Sequence, residues 1–285
     1  SGFVIPWSLS KPSAHTLKNF ATKRFFRLYP AYWFSIIISL IAFIGFGPLH
    51  YLHIDSLSQV LVNFTMIHKY LGVGSVIDAY WTLHLELVFY FICASLFYFQ
   101  LLNDRFSIYL ILFFLMITII FSFIRYQYAI KIPIVMPLGL AVMFYGSLIR
   151  SWLIGNNHKL KSTVVAVTLL FFIALFIAQK MYYLDSWVKW YLTYIVAFGL
   201  FFLLISICKL HGSVYVYLGR ISYSLYLLHP VVISLLLFFW WEEEFSLVSL
   251  ISFCTLALVF SIIAASFSYH FIEKPSLVFG RKFKF

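Results

Sequence analysis

Charge is scarce in this chain: 10% of its 285 residues are Asp, Glu, Lys or Arg, and only 9 of those are acidic. A soluble domain carries about a quarter charged residues, so an ordinary water-facing fold is excluded. Cysteine is nearly absent, with Cys93, Cys208 and Cys254 all inside apolar runs. Their spacing fits neither a zinc cluster nor a secreted disulfide framework, and they read as small packing groups. A glycine-rich phosphate loop, a paired-carboxylate metal motif and a dinucleotide fingerprint are missing too, so no metal or permanently bound cofactor is expected. There is no initiating Met, basic leader or signal-peptide pattern. The chain opens on Ser1-Gly2-Phe3-Val4-Ile5, too short to span by itself, and an incomplete N-terminus is expected.

What fills the chain is hydrocarbon. It is 64% hydrophobic and 22% aromatic, with a mean hydropathy of +0.99. About 20 apolar residues cross a bilayer, and the runs are too long and continuous for barrel strands. The pattern predicts an all-α polytopic membrane bundle in one domain over residues 1–285. Eight complete spans are expected, near 31–48, 83–102, 106–124, 132–149, 162–178, 191–208, 221–240 and 247–269, with Ser1–Leu9 as the tail of a ninth.

Basic residues orient these spans. If Lys11–Arg27 is cytoplasmic, 15 of the 20 Lys and Arg residues fall on that side, leaving Lys69, Arg125, Lys131, Lys180 and Lys189 outside. The asymmetry predicts a cytoplasmic C-terminus. The formal charge of +11 is then explained by topology and contact with anionic membrane lipids, and no nucleic-acid partner is expected. Trp81, Trp187, Trp190, Trp240 and Trp241 fall near external boundaries, where an aromatic belt forms. The sequence leaves oligomeric state open.

Against this background a few polar residues stand out. Glu86 is the one carboxylate within a long apolar run, and Thr82, Glu86, Tyr90 and Cys93 follow helical spacing. A carboxylate in hydrocarbon costs roughly 2.5–3.5 kcal/mol on insertion scales, so Glu86 should face protein or water. It reads either as a polar helix contact or as a proton donor or acceptor. His84 is two positions away and does not share its face. Ser222, Tyr226 and His229 form a second stripe, spaced by four and three, with Pro230 positioned to bend that helix. His229 alone reads equally as a packing histidine or a site residue. Arg24 and Arg27 sit three apart just before Pro30, where two guanidinium groups can hold lipid phosphates or those of an anionic cosubstrate.

Four ordered segments resemble the integral-membrane acyltransferases called acyltransferase family three, which include O-acetylases of surface polysaccharides. Ser1-Gly2-Phe3 is similar to the end of the family's Phe-Phe-x-x-Ser-Gly-Phe segment. Arg24-Phe25-Phe26-Arg27-Leu28-Tyr29-Pro30-Ala31-Tyr32-Trp33 matches its Arg-x-x-Arg-x-x-Pro-x-Tyr-Trp region. Trp81-Thr82-Leu83-His84-Leu85-Glu86 matches Trp-Ser/Thr-Leu-x-x-Glu, and Ser222-Tyr223-Ser224-Leu225-Tyr226-Leu227-Leu228-His229 resembles Ser-Tyr-x-x-Tyr-x-x-His.

The resemblance implies ten spans in the family and a catalytic His and an Arg in a first span that this sequence lacks. It implies transfer of an acyl group, usually acetyl from cytoplasmic acetyl-CoA as cosubstrate, to a hydroxyl of an exported or lipid-linked glycan. Arg24 and Arg27 carry over as the donor-positioning pair. Glu86 would orient or charge-stabilise the missing His or share proton transfer, while Trp81, Ser222, Tyr226 and His229 would line the cavity or hold the acceptor. The location implied is a bacterial inner membrane. The competing readings are a proton-coupled transporter or saccharide exporter using Glu86 and His229, and an inactive acyltransferase fragment.

Overall fold

The computed structural model describes residues 1–9, 16–130, 132–155, 157–183, 187–205, 212–240 and 246–283, the side chains of 182 and 183 excepted. Lys11, Lys131, Cys208, Lys209, Trp241 and Lys284 lie outside the described residues. The structure is 83% helix, and no strand occurs among the described residues, as the all-α reading expects.

The helices are α1 (Ile5–Leu9), α2 (Thr16–Phe46), α3 (Leu57–Asn63), α4 (Trp81–Tyr98), α5 (Asp104–Tyr128), α6 (Val135–Leu153), α7 (Lys161–Tyr183), α8 (Trp187–Leu203), α9 (Ser213–Phe239), α10 (Leu247–Ser268) and α11 (Lys274–Gly280). A π turn, Tyr269–Glu273, joins α10 to α11. Seven helical stretches among the described residues are long and apolar enough to cross a bilayer: Thr16–Phe46, Asp78–Tyr98, Asp104–Tyr128, Val135–Leu153, His158–Met181, Ser213–Phe239 and Leu247–Gly280. Trp187–Leu203 is apolar but shorter. The last stretch runs on well beyond the predicted end at Tyr269. Lys274-Pro275 looks like a stop, yet Pro275 falls in the first turn of α11, where a missing N–H costs little.

Two compact units divide the chain: Ser1–Ala14 with Leu85–Leu210, and His15–His84 with His211–Phe285. In the first, Phe144 of α6 packs against aromatic side chains of α4 and α5. Phe144 meets Phe89 edge-on at 5.0 Å and Phe114 at 6.3 Å between ring centroids. Buried hydroxyls on α5 are satisfied within the helix: Thr118 donates to the Phe114 carbonyl at 2.8 Å and Ser122 to that of Thr118 at 2.7 Å, so they can be buried at little cost. The opening segment lies along α6. A Cβ at Gly2 would sit 1.9 Å from the Met143 carbonyl oxygen, and one at Gly146 would sit 3.1 Å from the Phe3 nitrogen. Only glycine permits this backbone approach. Arg150 then covers the segment, its guanidinium 4.6 Å from the Trp7 ring centroid and 5.2 Å from that of Phe3.

In the second unit the long segment between α2 and α4 folds into a cap. Ser56 is the N-cap of α3, accepting from the Gln59 N–H at 3.2 Å. At the other end of α3, three side chains of α2 donate to the closing carbonyls. Tyr32 donates to the Asn63 carbonyl at 2.7 Å, Trp33 to Phe64 at 2.9 Å and Tyr29 to Thr65 at 3.1 Å. Asn63 ties the rest of the loop together, donating to the Gly74 carbonyl and accepting from the Val76 N–H. The Tyr80 hydroxyl bonds Ser35 at 2.6 Å, seating the start of α4 on α2.

His68 is fully buried in this cap, 4.5 Å from the His84 ring and bonded through Nε2 to Ser75 at 2.9 Å. Burial first, then the neighbouring His84 and Lys69, lower its pKa from 6.5 to about 4. Above pH 6.5 both folded and unfolded chains hold this ring neutral. Between pH 6.5 and about 4 only the unfolded chain takes up the proton, so stability falls with pH across that window. The loss is on the order of 3 kcal/mol at its limit. Thermal midpoints measured from pH 7 to 4.5 should therefore drop more steeply for the natural protein than for His68→Gln, and parallel curves would contradict this.

Candidate functional site

Arg24 and Arg27 occupy the first half of α2, one turn before Pro30. The Arg24 guanidinium lies 5.3 Å from the centroid of the Phe20 ring. Arg27 pairs through Nη1 with Glu273 Oε1 at 3.2 Å; its side chain is 34% exposed, whereas that of Glu273 is wholly buried. Ser224 on α9 donates to the other carboxylate oxygen at 2.8 Å. One buried carboxylate thus joins α2, α9 and the π turn.

Pro30 explains why the surroundings take this form. Lacking an N–H, it leaves the carbonyl of Phe26, four residues earlier, without its helical donor. The Ser276 hydroxyl supplies one at 2.8 Å, and the Tyr223 hydroxyl donates to the nearby Leu28 carbonyl at 2.9 Å. The proline-broken ladder is repaired by α9 and α11, which fixes them against the arginine-bearing turn.

Pro230 has the same effect on α9. It orphans the carbonyl of Tyr226, and His229 Nδ1 lies 2.9 Å from that oxygen, with the Leu225 carbonyl at 3.2 Å. Both partners are acceptors, so Nδ1 carries a proton toward them and Nε2 is the nitrogen left for another partner. Pro230→Ala would restore an N–H to the Tyr226 carbonyl and compete with His229 for it. The variant should keep or gain thermal stability, and a clear fall in its thermal midpoint would contradict this account of Pro230.

The other members of the predicted α9 stripe are engaged differently. The Tyr226 hydroxyl donates to the Ala79 carbonyl and contacts the Thr82 hydroxyl, tying α9 to the start of α4. Its ring centroid is 6.0 Å from that of His229. Ser222 is exposed and bonds back to the Gly219 carbonyl at 2.9 Å. Trp81 is exposed at the first position of α4. His84 is buried, with Nδ1 3.1 Å from the Tyr80 carbonyl and Nε2 accepting from the Lys69 N–H at 3.4 Å.

Glu86 is half-buried on α4. The Tyr90 hydroxyl, one turn on, donates to Oε1 at 2.5 Å, and the Ser1 hydroxyl donates to the same oxygen. Gly2, fitted against Met143, brings Ser1 there. Among the described residues no group of three or more His, Cys, Asp or Glu side chains could hold a metal ion.

A family model described as an acyltransferase domain, acyltransferase family three, matches residues 1–267. The chain belongs to this family. Neither the comparison with curated proteins nor that with solved structures gave a match. Membership makes the chain a membrane acyltransferase, and its apolar helices agree with an integral membrane protein.

Within this acyltransferase the sequence reading missed Glu273. Glu86 is not the sole carboxylate set in an apolar run, because the last apolar stretch reaches Gly280 and encloses Glu273. A charged tail hid it, since Lys274 beside it suggests a water-facing end. Ser261, Ala265 and Ser268 mark the packed face of α10, but Glu273 falls off that face on a regular helix and the π turn intervenes, so spacing alone did not mark it. The reading also left Tyr29, Tyr32 and Trp33 without roles, and their bonds to the α3 end give them structural ones.

Proposed function

We propose that this acyltransferase moves an acetyl group from acetyl-CoA on the cytoplasmic face to a hydroxyl of an exported or lipid-linked glycan. The observation that carries the reading is the Arg24-Arg27 turn. It offers two guanidinium groups at the polar end of a long apolar helix, one of them part-exposed and held in place by a buried carboxylate. Such a pair suits the phosphates of a large anionic donor. With Trp187–Leu203 taken as an eighth crossing, the excess of Lys and Arg supports a cytoplasmic start of α2 and a cytoplasmic C-terminus.

The chemistry requires the acceptor hydroxyl to lose its proton as its oxygen attacks the thioester carbonyl. The tetrahedral intermediate then collapses with loss of the CoA thiolate, which takes up a proton. A histidine of the preceding span, implied by the family resemblance, is the base in this scheme, with Glu86 orienting it or sharing the proton. His229, Tyr226, Ser222 and Trp81 serve the acceptor. Binding both substrates in one protein supplies orientation that dilute reactants lack.

The test is acyl transfer by the purified full-length gene product in a membrane mimetic, using acetyl-labelled acetyl-CoA and lipid-linked saccharides. Surface glycans from cells with and without the gene are compared by mass spectrometry. Label in a glycan ester, lost on deletion, supports the reading; saccharide movement without covalent labelling would replace it with a transporter.

A further inference from the structure

The segment between α2 and α4 folds back along two membrane-crossing helices. From Leu28 to Phe46 α2 carries no Asp, Glu, Lys or Arg, and neither does α9 from Ile221 to Phe239; Arg27 and Arg220 stand just before these stretches. Each stretch is about 28 Å long at the rise of an α-helix, close to the hydrocarbon thickness of a bilayer. Ile37, Ile41, Ile44, Phe238 and Phe239 are exposed along them, as lipid-facing side chains are. The chain leaves α2 at Phe46, yet Tyr29 bonds Thr65, Tyr32 bonds Asn63 and Ser35 bonds Tyr80, about 25, 21 and 16 Å back along the helix. The depth read along α9 agrees: Tyr226, about 20 Å before Phe239, donates to the Ala79 carbonyl.

Irregular backbone at this depth is tolerated only where it is packed in protein or lines water. Gln59 and Asn63 supply the packed side. Gln59 accepts from the Asp55 N–H at 2.8 Å and donates to the His53 carbonyl at 2.9 Å. Asn63 serves Gly74 and Val76, and Leu52 and Ile77 pair as an antiparallel bridge. The other side is open and polar. The Asp78 side chain, next to the deep Ala79, is 67% exposed, and its Oδ2 lies 3.2 Å from Nε2 of His53, whose side chain is 50% exposed. A carboxylate is strongly disfavoured against hydrocarbon, so at this depth its open side faces water. We propose that residues 53–80 are a re-entrant segment whose His53-Asp78 side lines a water-filled vestibule, entered from the face at which α2 ends. The vestibule admits polar molecules from that face as far as the middle of the bilayer. It rests on the membrane crossing of α2 and α9 alone, whichever acyl acceptor is used.

The experiment measures thiol labelling of the full-length protein in sealed membrane vesicles, with Cys93, Cys208 and Cys254 replaced by alanine. A charged, membrane-impermeant methanethiosulfonate is applied to Asp78→Cys, to His53→Cys and, as the hydrocarbon reference, to Ile37→Cys, an exposed position about 14 Å before Phe46 on α2. The reagent consumes thiolate, which forms in water and is suppressed in apolar surroundings. Asp78→Cys and His53→Cys should react about tenfold faster than Ile37→Cys or better, the effect of one pKa unit on the thiolate population. Both should also react faster in vesicles that present the α2 C-terminal face than in inverted ones. The two sites are read separately, so one variant that fails to fold leaves the other as the test. Labelling as slow as at Ile37→Cys would place the His53-Asp78 side against protein or lipid and overturn the vestibule. Fast labelling of Ile37→Cys itself would overturn it too, by putting that half of α2 in water, as would faster reaction from the opposite face.

Discussion

Replacing Glu273 with leucine is expected to lower the thermal midpoint by roughly 5–10 °C, and adding Arg27→Met should recover most of that loss without restoring acyl transfer. Glu273 is wholly buried, and its two oxygens meet Arg27 at 3.2 Å and Ser224 at 2.8 Å. Removing the carboxylate leaves the Arg27 guanidinium charged and short of its partner, and deprives the Ser224 hydroxyl of its acceptor. Breaking a fully buried pair costs about 3–5 kcal/mol, and the exposure of Arg27 to its surroundings brings the expected cost nearer 2–3 kcal/mol. Replacing both members with apolar groups removes the stranded charge, and such double replacements are often neutral.

The double variant therefore separates two roles of Arg27. If Arg27 served only as a structural partner to Glu273, restoring stability would restore turnover. If it also holds the donor, the double variant stays folded while its KM for acetyl-CoA rises about tenfold or more, the worth of a lost charge-assisted contact. Recovery of both midpoint and KM would remove Arg27 from the donor site.

The sequence carried the helical membrane architecture because hydrocarbon thickness sets a run length that needs no tertiary information. Span ends were less legible. The charged tail masked the continuation of the last helix through a π turn, since only the partner across the fold, Arg27, tells a buried Glu273 from a solvated one. Pro230 was read as bending its helix, which Pro30 also favours locally. What they do here depends on which side chain reaches the carbonyl each one orphans: Ser276 for Pro30, His229 for Pro230. The first partner is 250 residues away along the chain and could not be read from spacing; the second is adjacent and could. Tyr29, Tyr32 and Trp33 make the same point. Their spacing marks a helix face, and only the fold places the end of α3 on that face.

Glu86→Gln is expected to leave the fold intact and cut acyl transfer by about 10²- to 10⁴-fold, the range of a lost general acid-base group. Glutamine has nearly the shape of glutamate, and its amide oxygen can still accept from Tyr90 and Ser1, the two donors that meet on Oε1. What it loses is the charge and the capacity to exchange a proton. A helix-contact role would be preserved by this substitution, and a proton-transfer or charge-stabilising role would not. Tyr90→Phe supplies the complementary case, keeping the carboxylate but removing a donor 2.5 Å from it. A single hydrogen bond of this kind contributes about 1.5–3 kcal/mol when its acceptor is charged, so its loss should slow turnover by roughly ten- to a hundredfold. Glu86→Ala should destabilise as well as inactivate, because it removes the acceptor that both hydroxyls share. The ordering that supports a chemical role is therefore a folded Glu86→Gln protein slower than Tyr90→Phe. If Glu86→Gln turns over within threefold of the natural protein while Glu86→Ala loses stability, Glu86 is a polar helix contact that anchors the Ser-Gly-Phe segment, and proton transfer must be assigned elsewhere.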